Sequence, residues 1–200
     1  DKYVGQNKDL TVEQNVEDKL HPLNLSKIEL NGYIGNKLDL CIENRILDQS
    51  IEALVDPFRH KDETRLWQTE FWGKWYTALS RAYRYKNTPE IRQKLDSAVH
   101  KLLRTQRSDG YIGNYSPSHQ LEGWNIWGIK YTLLGLLGYY ESTGDVDVLQ
   151  SAKQLAGYLM TLVGPEKAHI IKTGNYRGMP SSTILNALVP LYRYTGDGKY

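Results

Sequence analysis

Residues 127–145 read WGIKYTLLGLLGYYESTGD, and this stretch decides the fold. Within Ile129–Tyr140, the side chains from Thr132 to Gly138 are apolar or small on every side of a helix. A helix without a polar face must be surrounded by protein. The segment Ile184–Tyr192 also has little polar character. The sequence therefore predicts buried helices at both places.

Amphipathic segments alternate with the buried ones. Thr88 is the predicted N-cap of such a helix and Pro89 its first residue. Asp145 is the predicted cap of another, whose apolar positions between 148 and 163 lie on one face. Both patterns indicate outer helices. A further helix is predicted from about Leu66 to Tyr85.

The N-terminal part has a weaker pattern. Residues 1–31 are predicted to be an extended segment with a short strand at Lys27–Leu30. A first helix is predicted after Gly32 and is expected to end near Pro57, since proline interrupts a helix. Cys41 lies in an apolar helical pattern, which favours a buried structural thiol over a nucleophile.

Three similar turn phrases follow buried segments, beginning at Tyr83, Tyr140 and Tyr192. Gly144 and Gly196 suit the left-handed position that ends a helix. Repeats of this kind bury their faces by stacking side by side. Inner buried helices with outer amphipathic ones predict an all-α fold, an (α/α)6 barrel or six-hairpin toroid. Residues 32–200 would supply roughly its first half.

The composition excludes several kinds of partner. The formal net charge is +2 with both signs interspersed, so no nucleic acid is expected. No apolar run is long enough to span a membrane. One cysteine and five histidines without ligand spacing give no metal site, and no cofactor is predicted within these residues. The polar start at Asp1 fits a processed secreted protein or a trimmed chain. The oligomeric state stays open.

Three loops lead from an outer helix into the next inner helix and should share one rim: 56–66, 107–127 and 164–182. The middle one is rich in Tyr and Trp among Gly, Asn and Ser. Long loops with such content favour a binding site, and aromatic faces beside Asn, Asp and Glu suit carbohydrate rings. Alternatively, these aromatic residues plug the end of a helical bundle.

The candidate substrate-binding residues are the aromatic, polar and cationic side chains near this rim: Trp67, Glu70, Trp72, Lys74, Tyr111, Asn114, Trp124, Trp127, Lys130, Tyr176, Arg177 and Met179. A glycosidase needs two facing carboxyl groups, and Glu70, Asp109 and Glu122 are the catalytic candidates. Their spacing does not fix a pair. Glu70 and Lys74 also suit an ordinary helix ion pair, and Asp109 suits a turn.

Several phrases in one order resemble a known family. They are WQTEFWGKWYTALSRAYRY, KLLRTQRSDGYIGNY, WGIKYTLLGLLGYYESTGD and GNYRGMPSSTILNALVPLYRYTGDGKY. Together they resemble the N-terminal half of the family-127 glycoside hydrolases, the β-L-arabinofuranosidase-like six-hairpin proteins, over residues 25–200. The resemblance implies an (α/α)6 barrel followed by β-sandwich domains, action on plant cell-wall glycans, and a secreted or periplasmic bacterial location.

The resemblance also implies where catalysis lies. In characterised members a cysteine nucleophile lies near a zinc held with glutamate and further cysteines. That motif falls downstream of residue 200, and Cys41 does not match it. Typical arabinofuranosidases of the family have a His-Glu pair where this chain has Trp124-Asn125.

That departure favours another sugar. An indole can stack and donate one hydrogen bond, whereas an imidazole can also accept one. Lys74, Lys130 and Arg177 could gather around a carboxylate, as an acidic pectic sugar such as the aceric acid of rhamnogalacturonan II would require. The alternative for Lys130 is a stem that runs along apolar surface to reach water.

The leading hypothesis is an exo-acting, retaining glycosidase that removes a terminal sugar, β-L-arabinofuranose-like or acidic, from pectin side chains. A sugar epimerase or polysaccharide lyase is the second hypothesis. It would use His60, His119, Tyr111 or Tyr176 for proton transfer. A non-catalytic carbohydrate-binding helical protein is the third.

Overall fold

The computed structural model describes residue 12, residues 19–20, residues 23–62 and residues 67–200. This part of the chain is helical, and its one β contact is an isolated bridge between Val163 and Ala168. The α-helices are α1 Gly32–Cys41, α2 Ile51–His60, α3 Gln68–Tyr85, α4 Pro89–Leu103, α5 Asn125–Thr143, α6 Val146–Leu162, α7 Met179–Ser182 and α8 Leu185–Thr195. A π-helix, Ile42–Leu47, follows α1, and short 3-10 turns lie at Leu25–Lys27, Pro117–His119, Ile170–Lys172 and Tyr176–Gly178.

Helices α3, α5 and α8 form the inner layer. α5 packs between α3 and α8 and also lies on the outer helix α6. Glycines on α5 allow a close approach to α3. A Cβ on Gly128 would collide with the Thr69 hydroxyl, and one on Gly138 would lie 3.6 Å from Ser80 Oγ. Residue numbers rise together along this contact, so the two helices are parallel.

Helix α8 continues the same arrangement. The rings of Tyr140 and Tyr194, near the C-terminal ends of α5 and α8, contact each other with centroids 5.2 Å apart. Each inner helix therefore starts at the same end of the molecule, and outer helices α4 and α6 return the chain. Parallel inner helices with outer return helices are the arrangement of an α/α toroid, and the all-α prediction is confirmed.

The predicted helix ends are also confirmed. The Thr88 hydroxyl accepts a hydrogen bond from Ile91 N at 3.3 Å at the start of α4. The Asp145 carboxylate accepts one from Val148 N at 3.2 Å at the start of α6. Gly144 has φ 75° at the end of α5, in the left-handed region that glycine adopts without strain.

Three predictions for the N-terminal part are wrong or lie outside the described residues. No strand forms at Lys27–Leu30, where the chain instead leaves a 3-10 turn. Pro57 lies inside α2, which continues to His60. Phe58 directly after the proline is completely buried, and this burial offsets the lost backbone hydrogen bond. Most of the segment 1–31 falls outside the described residues.

Cys41 is exposed, which corrects the predicted buried thiol. Ile42 and Ile46 of the following π-helix occupy the core positions instead. Gly35 is the buried residue of α1, so this helix lies on the surface and leaves its last side chain in solvent.

No helix in the described ranges is both long enough and apolar enough to cross a lipid bilayer.

Candidate functional site

The second and third predicted rim loops are joined through their backbones. Gly174 N donates to Leu121 O at 2.6 Å and Asn175 N donates to Gly123 O at 3.1 Å. Gly174 has φ 59°, and a Cβ there would lie 2.8 Å from Gly123 O, so the contact requires glycine. These bonds hold the two loops side by side at the N-terminal ends of α5 and α7.

A buried polar scaffold fixes the middle loop. The Tyr111 hydroxyl accepts from Tyr115 N at 3.0 Å and from Asn125 Nδ2 at 2.9 Å. The Tyr115 hydroxyl in turn accepts from Trp124 N at 2.9 Å. Burial raises the pKa of Tyr111 to about 12, so its hydroxyl stays protonated. Asn125 also accepts from Leu121 N at 3.1 Å, so its side chain is occupied by the fold.

Three predicted substrate contacts therefore belong to the core, which corrects the sequence-based list. Trp72 and Tyr111 are 0% exposed and Asn114 is 2% exposed, so none presents a surface to a ligand. Trp72 stacks on Tyr76 with centroids 4.5 Å apart and meets Phe58 edge-on. For Tyr111 the alternative that the aromatic side chains of this loop plug the bundle is the right one.

Four of the remaining candidates form a contact cluster with Tyr131 at the N-terminal ends of α3 and α5. We call this the rim cluster: Glu70, Lys74, Trp127, Lys130 and Tyr131. Glu70 accepts a hydrogen bond from Trp127 Nε1. Its other oxygen accepts from Lys74 Nζ at 3.0 Å. Lys130 Nζ lies 3.5 Å from the Trp127 ring centroid and 4.2 Å from that of Tyr131. The sequence reasoning omitted Tyr131, although its position four residues after Trp127 places it on the same helix face.

Lys130 is the most unusual group of the rim cluster. The residue is 4% exposed, and within the described chain its ammonium has ring contacts but no hydrogen-bond acceptor. Burial and the nearby Lys74 ammonium lower the pKa of Lys130 to about 8, while the Glu70 carboxylate raises it. Two ammonium groups beside one carboxylate leave this cluster with an excess of positive charge.

Trp124 and Tyr176 extend the rim cluster outward. The Trp124 ring meets the Trp127 ring with centroids 5.7 Å apart and the Tyr176 ring at 6.2 Å. Tyr176 is 72% exposed and Trp124 is half-buried. Met179 and Trp67 are exposed too. Arg177 is exposed, and no contact joins it to the rim cluster in the described part of the chain.

The three candidate carboxylates are held by separate local contacts. Glu70 bonds to Trp127 and Lys74, as described above. Asp109 accepts from Tyr111 N at 3.1 Å and pairs with Arg107, which agrees with a turn. Glu122 is exposed and pairs with His119 at 2.8 Å. The structure does not assemble a facing pair of carboxyl groups from these residues.

The residues suggested for proton transfer are also dispersed. His60 on α2 pairs with Asp56 at 3.3 Å. His119 pairs with Glu122 in the middle loop, Tyr111 is buried, and Tyr176 lies on the surface. Within the described residues, no contact joins these four side chains into one site.

The described residues contain no group of three or more His, Cys, Asp or Glu side chains able to hold a metal ion. They therefore do not fit the zinc site that the family resemblance implies. A cavity of about 350 Å³ lies at the other end of the inner helices, lined by Arg81, Arg84, Glu141, Arg193 and Tyr194 among others. It is separate from the rim cluster.

The fold and the rim define a helical-toroid protein with an aromatic, cationic mouth. A family model described as beta-L-arabinofuranosidase, GH127 catalytic domain, matches residues 15–200. The chain belongs to this family.

Known relatives agree with this assignment. The non-reducing end beta-L-arabinofuranosidase of Bifidobacterium longum subsp. longum is 27% identical over 143 residues, which are 64% of this chain and 20% of that protein. This chain thus spans about one fifth of its curated relative.

Solved structures share the fold. A GH127 beta-L-arabinofuranosidase from Geobacillus stearothermophilus superposes with a TM-score of 0.59 at 23% identity, over 81% of this chain and 27% of that one. The GH127 beta-arabinofuranosidase BT3674 superposes with a TM-score of 0.68 at 18% identity, over 90% of this chain and 32% of that one. These likenesses support a partial helical toroid.

Proposed function

We propose that the whole protein containing this chain is a glycoside hydrolase that removes a terminal sugar from plant cell-wall pectin side chains. Membership of the GH127 catalytic family supports the hydrolase class, and the curated relative acts as a beta-L-arabinofuranosidase. An exo-acting, retaining mechanism and a secreted or periplasmic location belong to the same proposal. The catalytic groups are expected outside these residues, because the family resemblance implies a motif downstream of residue 200 and the candidates Glu70, Asp109 and Glu122 form no facing pair.

The terminal sugar carries a carboxylate in this proposal, as aceric acid does. The observation that carries it is the pair of ammonium groups on Lys74 and Lys130 beside the rim aromatics. Lys74 has Glu70 as a partner, whereas Lys130 carries its charge near a like charge on a largely buried side chain. A bound carboxylate would offset that cost through a charge-assisted hydrogen bond.

Substitution of Lys130 by methionine tests this idea in the whole protein. Lys130→Met keeps the apolar stem and removes the charge. We expect KM to rise about tenfold or more for an acidic glycoside, since a charged hydrogen bond is worth roughly 1.5–3 kcal/mol. KM for a neutral arabinofuranoside should stay within about twofold. An unchanged KM for the acidic glycoside would remove the acidic-sugar proposal.

The pH dependence gives a second test. Lys130 is charged below its pKa of about 8 and neutral above it. Affinity for the acidic glycoside should therefore fall as the pH rises through 8, whereas affinity for a neutral glycoside should not. The Lys130→Met enzyme should lack this fall. Identical alkaline profiles for both substrates in the unsubstituted enzyme would contradict the assignment.

A further inference from the structure

The environment of the Trp127 ring differs from that of a sugar-stacking platform. The Lys130 ammonium lies 3.5 Å from the ring centroid, over one face. The Lys74 ammonium lies 5.8 Å from the same ring. Trp124 and Tyr131 meet the ring in edge-on geometry with centroids 5.7 and 5.2 Å away. A sugar would have to displace a cation to stack on the face that Lys130 covers.

The polar edge of Trp127 is also occupied. Its Nε1–H donates to Glu70, whose side chain is 14% exposed and also binds Lys74. An indole has one hydrogen-bond donor, so Trp127 has none left for a sugar hydroxyl. The edge of the Trp127 ring is fixed by a hydrogen bond and its face contacts the Lys130 ammonium. Such a ring can keep the ammonium in place, because the aromatic face attracts cations.

We propose that Glu70 and Trp127 are positioning residues for the Lys130 ammonium, and that Trp124 and Tyr176 provide the sugar-facing rings. Glu70 fixes the indole through its Nε1–H, and the indole face fixes the ammonium at the rim. The bound group is an anionic carboxylate, so this part rests on the proposed function. The effect of Glu70 and Trp127 on Lys130 can be measured without substrate, through the titration of Lys130.

The charges around Lys130 give the expected direction of change. The charged groups that act on it are Lys74 and Glu70, both from α3, and Tyr131 of its own helix contributes a neutral ring. Loss of the Glu70 charge removes the influence that raises the pKa of Lys130. Loss of the Trp127 ring removes a face that favours the charged form over the neutral amine.

The experiment follows the titration of Lys130 in the whole protein by carbon-13 NMR after reductive methylation with labelled formaldehyde. The Lys130 signal is assigned by its absence in Lys130→Arg. We expect Glu70→Gln to lower the Lys130 midpoint by about 1 pH unit, the low end for loss of an opposite charge within 4–6 Å. Trp127→Leu should lower it by roughly half a unit.

Trp124→Leu is the matched control, because Trp124 contacts the Trp127 ring but not the Lys130 ammonium. It should leave the Lys130 midpoint unchanged. Equal midpoints in Trp127→Leu and Trp124→Leu, or an unmoved midpoint in Glu70→Gln, would overturn the positioning role. Glu70→Gln preserves the size and hydrogen-bond acceptor of the side chain, so it keeps the test valid if the leucine variants fold poorly.

Steady-state kinetics separate this inference from the proposed function. We expect Glu70→Gln to raise KM for the acidic glycoside alone, with kcat retained, and Trp124→Leu to raise KM for acidic and neutral glycosides alike. Equal losses for both substrates in Trp127→Leu would show that Trp127 is a sugar platform and would overturn the inference. A shifted Lys130 midpoint with unchanged KM for the acidic glycoside supports the positioning and overturns the carboxylate substrate.

Discussion

At the scale of single residues, the Lys130 side chain is largely buried, and its ammonium contacts the two aromatic rings of Trp127 and Tyr131. Lys130 Nζ lies 3.5 Å and 4.2 Å from the ring centroids of Trp127 and Tyr131. The rings attract the cation, yet burial and Lys74 make the charged form less favourable than in water. Removing the charge should therefore affect stability as well as binding.

The stability of the protein should depend on pH through Lys130. The pKa of Lys130 is about 8 in the folded protein and near 10.5 in the unfolded chain. Between these values the unfolded chain binds more protons, so the free energy of unfolding contributed by this group rises with pH. Urea denaturation from pH 7 to 10.5 should show this rise in the unsubstituted protein and not in Lys130→Met. Parallel curves would contradict the shifted pKa.

Cys41 should react as an accessible thiol. Because it is exposed on α1, it should react in the native state with an aromatic disulfide reagent as fast as in the urea-unfolded chain, within about tenfold. The absorbance of the released thiolate measures the rate. Cys41→Ser should leave the free energy of unfolding within about 0.5 kcal/mol, as surface substitutions do. Protection of several hundredfold in the native state would place the thiol in the core.

The residue scale is also where sequence reasoning about the site was least complete. The aromatic content of residues 107–127 predicted a rim loop, and Lys74 and Lys130 were among the predicted binding residues. The sequence of an aromatic-rich loop does not show, however, which of its rings are buried in the core. Tyr111 and Trp72 are buried through contacts with other segments, since Tyr111 bonds to Asn125 and Trp72 meets Phe58 edge-on. Such contacts have no local periodic signature.

At the scale of elements, the seam between α3 and α5 depends on small residues. A Cβ on Gly135 would lie 2.6 Å from the Trp72 ring, whose position is fixed by stacking on Tyr76. Helix caps and the buried helix α5 could be predicted because they depend on neighbours in sequence. The prediction of a buried helix at Ile184–Tyr192 is wrong for these residues, since α8 leaves Leu185 and Val189 exposed. The course of the chain through Pro57 and the π-helix could not be predicted, since burial of Phe58 and Ile46 decides it.

Gly135→Ala should destabilise the protein by about 1–3 kcal/mol, as overpacking of a core does, despite the better helix propensity of alanine. Gly157→Ala in α6 is the matched control, because a Cβ there meets nothing within 4 Å. It should stabilise the protein by up to about 1 kcal/mol. Chemical denaturation measures both. A stabilised Gly135→Ala variant would mean that the seam is looser than described.

At the scale of the whole molecule, the inner helices run parallel, so the rim cluster lies at their N-terminal ends and the cavity lies toward their C-terminal ends. Lys74 lies at the rim, and Arg81 lies two turns further along α3, about 10 Å away. The cavity beside Arg81 is far from the aromatic loops. The repeat of turn phrases predicted that the loops 107–127 and 164–182 lie at one end, and their backbone hydrogen bonds confirm this. Part of the loop 56–66 falls outside the described residues.

Arg81→Met and Lys74→Met form a matched pair on one helix. Each replaces a cation by methionine. We expect Lys74→Met to raise KM for an acidic glycoside several-fold and Arg81→Met to leave KM within about twofold, because the second cation lies outside the rim. Initial-rate kinetics of the whole protein measure both. A larger effect of Arg81→Met would move the binding site to the opposite end.

The common direction of the inner helices has an electrostatic consequence. The N-terminal ends of α3 and α5 both face the mouth, and each helix dipole contributes about half a positive elementary charge there. These fields add to the ammonium groups already present. The mouth should therefore draw in negatively charged glycans faster than neutral ones, and added salt should slow that capture.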